Sequence, residues 1–169
     1  MKKALFILLI LTVITGGYVF AEEAKAERVS YIKPTFILGM TWENIAVSGG
    51  NDISENYLSM GIGVNFVHST GITFGLKQGT ILNYKMQGFS GTTKMNMPFW
   101  SFGAGYTYDA ESFAITGMLA FYSQNTGLDI EATYWINESL GITGILCYYL
   151  ENNSKEQFTF IGVGLSMRF

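Results

Sequence analysis

Cysteine, charge and long apolar runs are all scarce in this 169-residue chain. One cysteine, Cys147, excludes an intramolecular disulfide framework and any zinc cluster built on several thiols, and it reads as a small buried side chain. Charged residues make up 14% of the chain, well below the usual ~25%, which argues against an ordinary soluble surface and against a disordered tail. A formal net charge of -3 argues against a nucleic-acid partner. Beyond residue 21 no stretch approaches ~18 consecutive apolar residues, so no transmembrane helix is expected. What the chain does have is 49% apolar and 15% aromatic residues and 20 glycines, in one domain's length. That balance points to a membrane or an exported compartment.

Residues 1–21 read as a secretory signal rather than as structure. Lys2 and Lys3 form a positive start, Ala4 to Ile14 an apolar centre, and Val19, Phe20 and Ala21 a cleavage site. The expected domain is therefore 22–169, with Glu22 to Val29 as a charged, solvated lead.

From there, apolar residues recur at every second position, the signature of a strand with one greasy face. Ile32, Phe36, Leu38, Met40 and Trp42 alternate with Tyr31, Lys33, Thr35, Ile37, Gly39 and Thr41. The same split marks Leu58 to Phe66, Ile72 to Leu76, Phe99 to Tyr108, Phe113 to Phe121, Leu128 to Ile136, Leu140 to Leu150 and Phe160 to Phe169. The third segment turns polar on both faces around Gln78 to Thr80, which leaves its far end open. Eight strands of about ten residues fit the length. The connections are expected to alternate between long loops (43–56, 84–96, 123–127, 151–156) and tight turns (68–71, 109–112, 137–139).

The faces differ in charge. No Asp, Glu, Lys, Arg or His falls on the apolar face within the strands, whereas the other face carries Lys33, Lys77, Asp129, Glu131 and Arg168. A soluble barrel would be greasy inside and charged outside. Most of the strand glycines also fall on the charge-bearing face, as a narrow, curved interior requires. Strands that face lipid must pair all their backbone groups, so they must close. The expected fold is all-β: an eight-stranded antiparallel up-and-down transmembrane β-barrel. Outward aromatics at the strand ends read as two girdles, with Phe66, Tyr106, Tyr108, Phe113, Tyr134 and Phe169 at one level and Trp42, Trp100, Phe121 and Tyr148 at the other.

The last strand, Phe160 to Phe169, carries a resemblance. Its terminal aromatic and alternating apolar residues resemble the assembly signal of small eight-stranded bacterial outer-membrane proteins of the OmpX, OmpA-transmembrane and OmpW type. Gly164, Met167 and Phe169 match the core of that signal, while Gly162 stands where a polar residue is commoner. The resemblance implies an outer-membrane location, outer-membrane lipid and the barrel assembly machinery as partners, and short turns and both termini on the periplasmic side. It implies a structural or surface-interaction role, with long extracellular loops meeting an external ligand above a side-chain-filled lumen. The alternative it implies is a narrow, OmpW-like channel or carrier for small hydrophobic molecules.

Some small barrels are lipid A acyltransferases, lipid A deacylases or proteases, whose chemistry needs a base near the extracellular rim. The sole histidine, His68, falls in a turn at the opposite end, so no enzyme is expected. Neither a metal site nor a cofactor is expected. The Gly-x-Gly triplets lie inside strands, and the acidic run Asn51 to Glu55 lacks EF-hand spacing. The candidate site is the lumen. Ile37, Ile81, Met97, Phe99, Tyr149, Phe158 and Phe160 should make its extracellular half apolar, with Asp129 and Glu131 as exceptions there. Lys33 and Arg168 should lie toward the periplasmic end, and Lys77 should pair with Glu131 across the lumen.

Overall fold

The structure is a computed structural model that describes residues 29–45, 53–88, 91–122, 125–151 and 156–169. The signal segment expected over 1–21 lies outside the described residues. Eight strands follow in chain order: β1 (Tyr31–Ile45), β2 (Ile53–Val67), β3 (Ile72–Gly88), β4 (Gly91–Asp109), β5 (Phe113–Tyr122), β6 (Asn125–Trp135), β7 (Leu140–Glu151) and β8 (Glu156–Met167). Each pairs antiparallel with its neighbours, and β8 pairs back onto β1 to close the barrel. The expected fold class is the observed one.

Closure follows from the alternation. Phe36, Leu38, Met60, Ile62, Leu76, Phe102, Ile142, Val163 and Leu165 all point outward and are exposed, while their sequence neighbours turn inward. Such a surface is stable only in lipid, and in lipid no strand edge can be left unpaired. The seam between β1 and β8 runs from Thr35↔Ser166 to Ile45↔Glu156. It continues past the end of β8, where Ile32 and Phe169 exchange backbone hydrogen bonds of 3.0 and 3.1 Å. Gly164 has to be glycine, because a Cβ there would collide with the Phe36 carbonyl oxygen of the facing strand.

The turns at 68–71, 110–112 and 136–139 lie at the end that holds Tyr31 and Phe169. In the first, Gly71 sits at φ 90° with the Tyr106 ring against it, a conformation and a contact open only to glycine. In the third, the Asn137 side-chain oxygen accepts from the N–H groups of Ser139 (2.9 Å) and Leu140 (2.8 Å), an Asx turn.

At the loop end the structure corrects the sequence reading. The expected second loop, 84–96, is almost entirely strand: β3 and β4 remain paired out to Gly88↔Gly91. The first and third connections are also shorter than expected, because β1 runs to Ile45, β2 starts at Ile53 and β6 starts at Asn125. In the β3–β4 hairpin a bulge in β3 hides the pattern. The register slips between Ile81 and Tyr84, where Asn83 adopts φ 54°, and the extra residue shifts the in-out phase. The strands themselves are uneven around the barrel, 15 to 19 residues in β1–β4 against 10 to 12 in β5–β8.

Candidate functional site: a charged mid-lumen network beneath an apolar cup

The barrel interior is layered. Toward the turns, Thr35 and Ser166 share a hydrogen bond of 2.7 Å, Ser166 bonds Thr143, and Thr143 lies 2.8 Å from Thr133. On the other wall Thr73, Thr107 and Thr116 form a second chain at 2.7 and 2.9 Å. Many of these contacts join residues directly opposite each other in the register, such as Thr107↔Thr116 and Thr133↔Thr143. Small hydroxyl side chains both donate and accept, so they satisfy one another in a space too narrow for larger groups.

Above them lies a four-charge network. Lys33 Nζ donates to Glu131 Oε2 at 2.8 Å and to Thr133 at 3.1 Å. Lys77 Nζ lies 2.8 Å from Asp129 Oδ2 and 3.2 Å from Glu131 Oε1. Asn65 donates to Glu131 Oε2 and the Tyr149 hydroxyl to Asp129 Oδ1, both at 2.8 Å. Every carboxylate oxygen is therefore bonded, and the four charged residues are between 1 and 6% exposed. Two ammonium groups balance two carboxylates. A buried charge persists only when it is paired and hydrogen-bonded, and here each one is.

The expected pairing of Lys77 with Glu131 is present, although Asp129 is the nearer partner of Lys77. Two placements need correction. Lys33 starts near the turn end, opposite Asn65, but its amino group belongs to the mid-lumen network rather than to the periplasmic end. Its four-carbon stem spans the difference. Asp129 and Glu131 lie opposite Met118 and Thr116 of β5, at mid-height rather than in the upper lumen. Arg168 does stay at the turn end. It bonds Asp109 at 3.2 Å, and its guanidinium stacks over the Trp135 ring at 4.0 Å and the Tyr31 ring at 4.9 Å.

On the loop side of the network is an apolar cup. Its walls are Ile37, Ile81, Phe99, Tyr122, Phe158 and Phe160, and Lys77, Cys147 and Tyr149 reach its floor. Counted out to its open mouth, its atom-free space is ≈ 530 Å³. Glycines seat the rings. A Cβ on Gly39 or Gly162 would come within 2.6 or 2.5 Å of Phe160 Cζ, and one on Gly79 within 2.6 Å of Phe99 Cζ. The cup is thus mostly apolar, with the hydroxyls of Thr41 and Ser101 also on its wall. Sequence reasoning missed three participants: Asn65, whose partner Glu131 stands on a distant strand, Tyr122, which meets rings of β4, β7 and β8, and the Tyr149 hydroxyl, whose bond to Asp129 depends on the β6–β7 register.

At the rim, Glu43 is buried and accepts from the Tyr84 hydroxyl at 2.7 Å. The Tyr57 hydroxyl bonds Glu55, which also meets Lys85 at 3.2 Å, and the Tyr57 and Tyr84 rings lie 5.0 Å apart. These contacts hold the overhanging part of β3 against β2. His68 is exposed in the first turn, 2.9 Å from Thr70 Oγ1, at the opposite end of the barrel. No group of His, Cys, Asp and Glu suited to a metal ion occurs among the described residues.

No protein-family model matches the chain, and no curated protein matches it in sequence. Solved structures do match in shape. Neisserial surface protein A superposes with a TM-score of 0.53 at 15% identity, over 83% of this chain and 97% of that one. Ail, the attachment invasion locus protein of Yersinia pestis, solved with the heparin analogue sucrose octasulfate, gives 0.52 at 12% identity over 82% and 99%. The N-terminal β-barrel domain of Pseudomonas aeruginosa OprF gives 0.52 at 14% identity over 84% and 98%. At these identities the likeness is one of fold, and the fold this chain shares with all three is the eight-stranded barrel of outer-membrane proteins.

Proposed function

We propose that the chain is an integral protein of the bacterial outer membrane that does not conduct ions and acts at the cell surface through its loop end. The observation that carries this reading is the four-charge network. It crosses the lumen at mid-height with every carboxylate oxygen bonded, and it lies between an apolar cup and a hydroxyl-lined base. An ion moving through would have to break these buried charge pairs. The outward apolar belt supports the lipid setting, and the last strand, with Gly164, Met167 and Phe169, supports delivery by the barrel assembly machinery. The position of His68 at the turn end favours a surface role over hydrolytic chemistry at the outer rim. Purified protein refolded into planar bilayers should give no stepwise conductance, and loaded liposomes should not swell in small sugars. Regular conductance steps from the wild-type protein would refute the closed-barrel reading. The cup favours a second reading, a carrier that takes small apolar molecules from outside, and it has its own assay below.

A further inference from the structure

In the cup, apolar walls meet a charged donor, Lys77, that has one weak partner among its three. Lys77 has three N–H bonds to give. Two go to Asp129 and Glu131, and the third faces the Cys147 sulfur at 3.7 Å, a weak acceptor, with Ser101 opposite Lys77 in the register. Lys77 and Cys147 both reach the cup floor, and Lys77 is only 6% exposed. A buried ammonium is thus presented to an apolar space with one hydrogen bond poorly satisfied. A ligand oxygen there would make a charge-assisted bond that sulfur makes badly.

The walls say what the rest of such a ligand should be. Tyr122 meets Phe99 edge-on at 6.2 Å and Phe158 edge-on at 6.4 Å, and tilts over Tyr149 at 5.6 Å. Rings set edge to face around a gap offer a further ring the same geometry, at offset-stacked or T-shaped spacing. Charge narrows the class again. The network below is neutral, two ammonium groups against two carboxylates, so an anion on the floor would add an uncompensated buried charge. Glu43, buried near the loop end, would repel it on the way in, and a cation would meet Lys77. The atom-free space between floor and mouth, ≈ 530 Å³, takes one ring seated above the floor with its outer edge in the mouth.

We infer that the cup is a binding site for a small, neutral, single-ring aromatic molecule bearing one hydrogen-bond acceptor, of the aryl ketone or aldehyde kind, with the acceptor held by Lys77. This rests on the reading of the barrel as closed beneath the cup, and it deepens that reading by giving the cup an occupant of defined chemistry.

The test uses the full mature chain refolded into nanodiscs and titrated calorimetrically with four probes. Acetophenone should bind saturably. Ethylbenzene, the same shape without the acceptor, should bind at least about tenfold more weakly, as the loss of a hydrogen bond to a charged group implies. Benzoate and 2-octanone should both fall below acetophenone. Cys147→Ser replaces the sulfur beside Lys77 with a hydroxyl that accepts well, at almost unchanged volume, and should reduce the preference for acetophenone over ethylbenzene to within about twofold. The absence of saturable acetophenone binding in folded protein overturns the inference. So does equal binding of ethylbenzene, or a preference unchanged in Cys147→Ser, because Lys77 would then not read the acceptor. Binding of 2-octanone as tight as that of acetophenone overturns the aromatic part in favour of an alkyl chain. Conductance is measured on the same preparations, so a leaky barrel and an empty cup give separate results.

Discussion

Removing the Lys33 ammonium should show how the interior tolerates its charges. Lys33→Met keeps most of the stem but takes from Glu131 Oε2 its 2.8 Å partner, leaving it Asn65, while Oε1 keeps Lys77 at 3.2 Å. The network then carries two carboxylates against one ammonium at sites no more than 6% exposed. Breaking a buried pair from one side costs about 3–5 kcal/mol, because the surviving charge is left uncompensated. Glu131→Gln errs the other way, with two ammonium groups facing Asp129 alone, and should cost a similar amount. The double variant restores neutrality through the Lys77–Asp129 pair. Its cost should fall below the sum of the single costs by about 1–3 kcal/mol, the coupling expected of neighbours in one network. Urea unfolding in lipid vesicles, followed by the shift between folded and unfolded bands on unheated gels, measures all three. Costs that simply add would show that Lys33 and Glu131 do not depend on each other, and the view of the mid-lumen as one balanced unit would be wrong.

The remaining predictions are simpler. Folded protein should run at a different position on SDS gels before and after boiling, and identical migration with a helical circular dichroism spectrum would contradict a closed barrel. Met60→Arg or Ile142→Arg, on the lipid face at mid-strand, should cost about 2–4 kcal/mol in bilayers, whereas Thr93→Arg on the exposed β3–β4 overhang should cost almost nothing; equal effects would mean that the overhang lies in lipid. Gly162→Val drives a side chain into the Phe160 ring and toward the Leu38 carbonyl oxygen 2.9 Å away, so it should lower the yield of folded barrel, with Val163→Ile on the exposed lipid face as a control. Deleting Phe169 removes the backbone pair with Ile32 and should reduce accumulation in the outer membrane while export continues, as fractionation would show.

The architecture was legible because lipid imposes a rule on every second residue. Phe36, Leu38 and Met40 have no alternative to facing out, and Lys33 and Lys77 none to facing in, so strand count, phase and the polar interior could all be read from the chain. The rule stops where the lipid stops. Past Gln78 neither face of β3 has to be apolar, and the added residue near Asn83 has no hydrophobic signature, so a paired hairpin reads as a loop. The lumen was legible by side but not by partner. Which carboxylate Lys33 meets depends on how far its stem rises and on the stagger of strands around the whole barrel, and one strand's pattern contains neither. Cys147 shows the same limit: its burial was expected, whereas its place beside an ammonium came only with the register.

The uneven wall height has a consequence for life outside the membrane. The β4–β5 register begins at Phe102↔Phe121, so residues 93–100 of β4 pair with β3 alone among the described residues. One flank of the raised hairpin is therefore a row of backbone groups in water, the kind of template on which other chains can stack into aggregates. Pro98 interrupts it. Paired with Thr80 on its inner side, a proline is tolerated where its missing N–H faces outward, and an incoming strand would find no donor there. Lys94, exposed four residues away, adds a charge that an incoming strand would have to desolvate. A Pro98→Thr exchange would restore the missing donor, and crowded surfaces bearing that variant should clump where the parent stays dispersed.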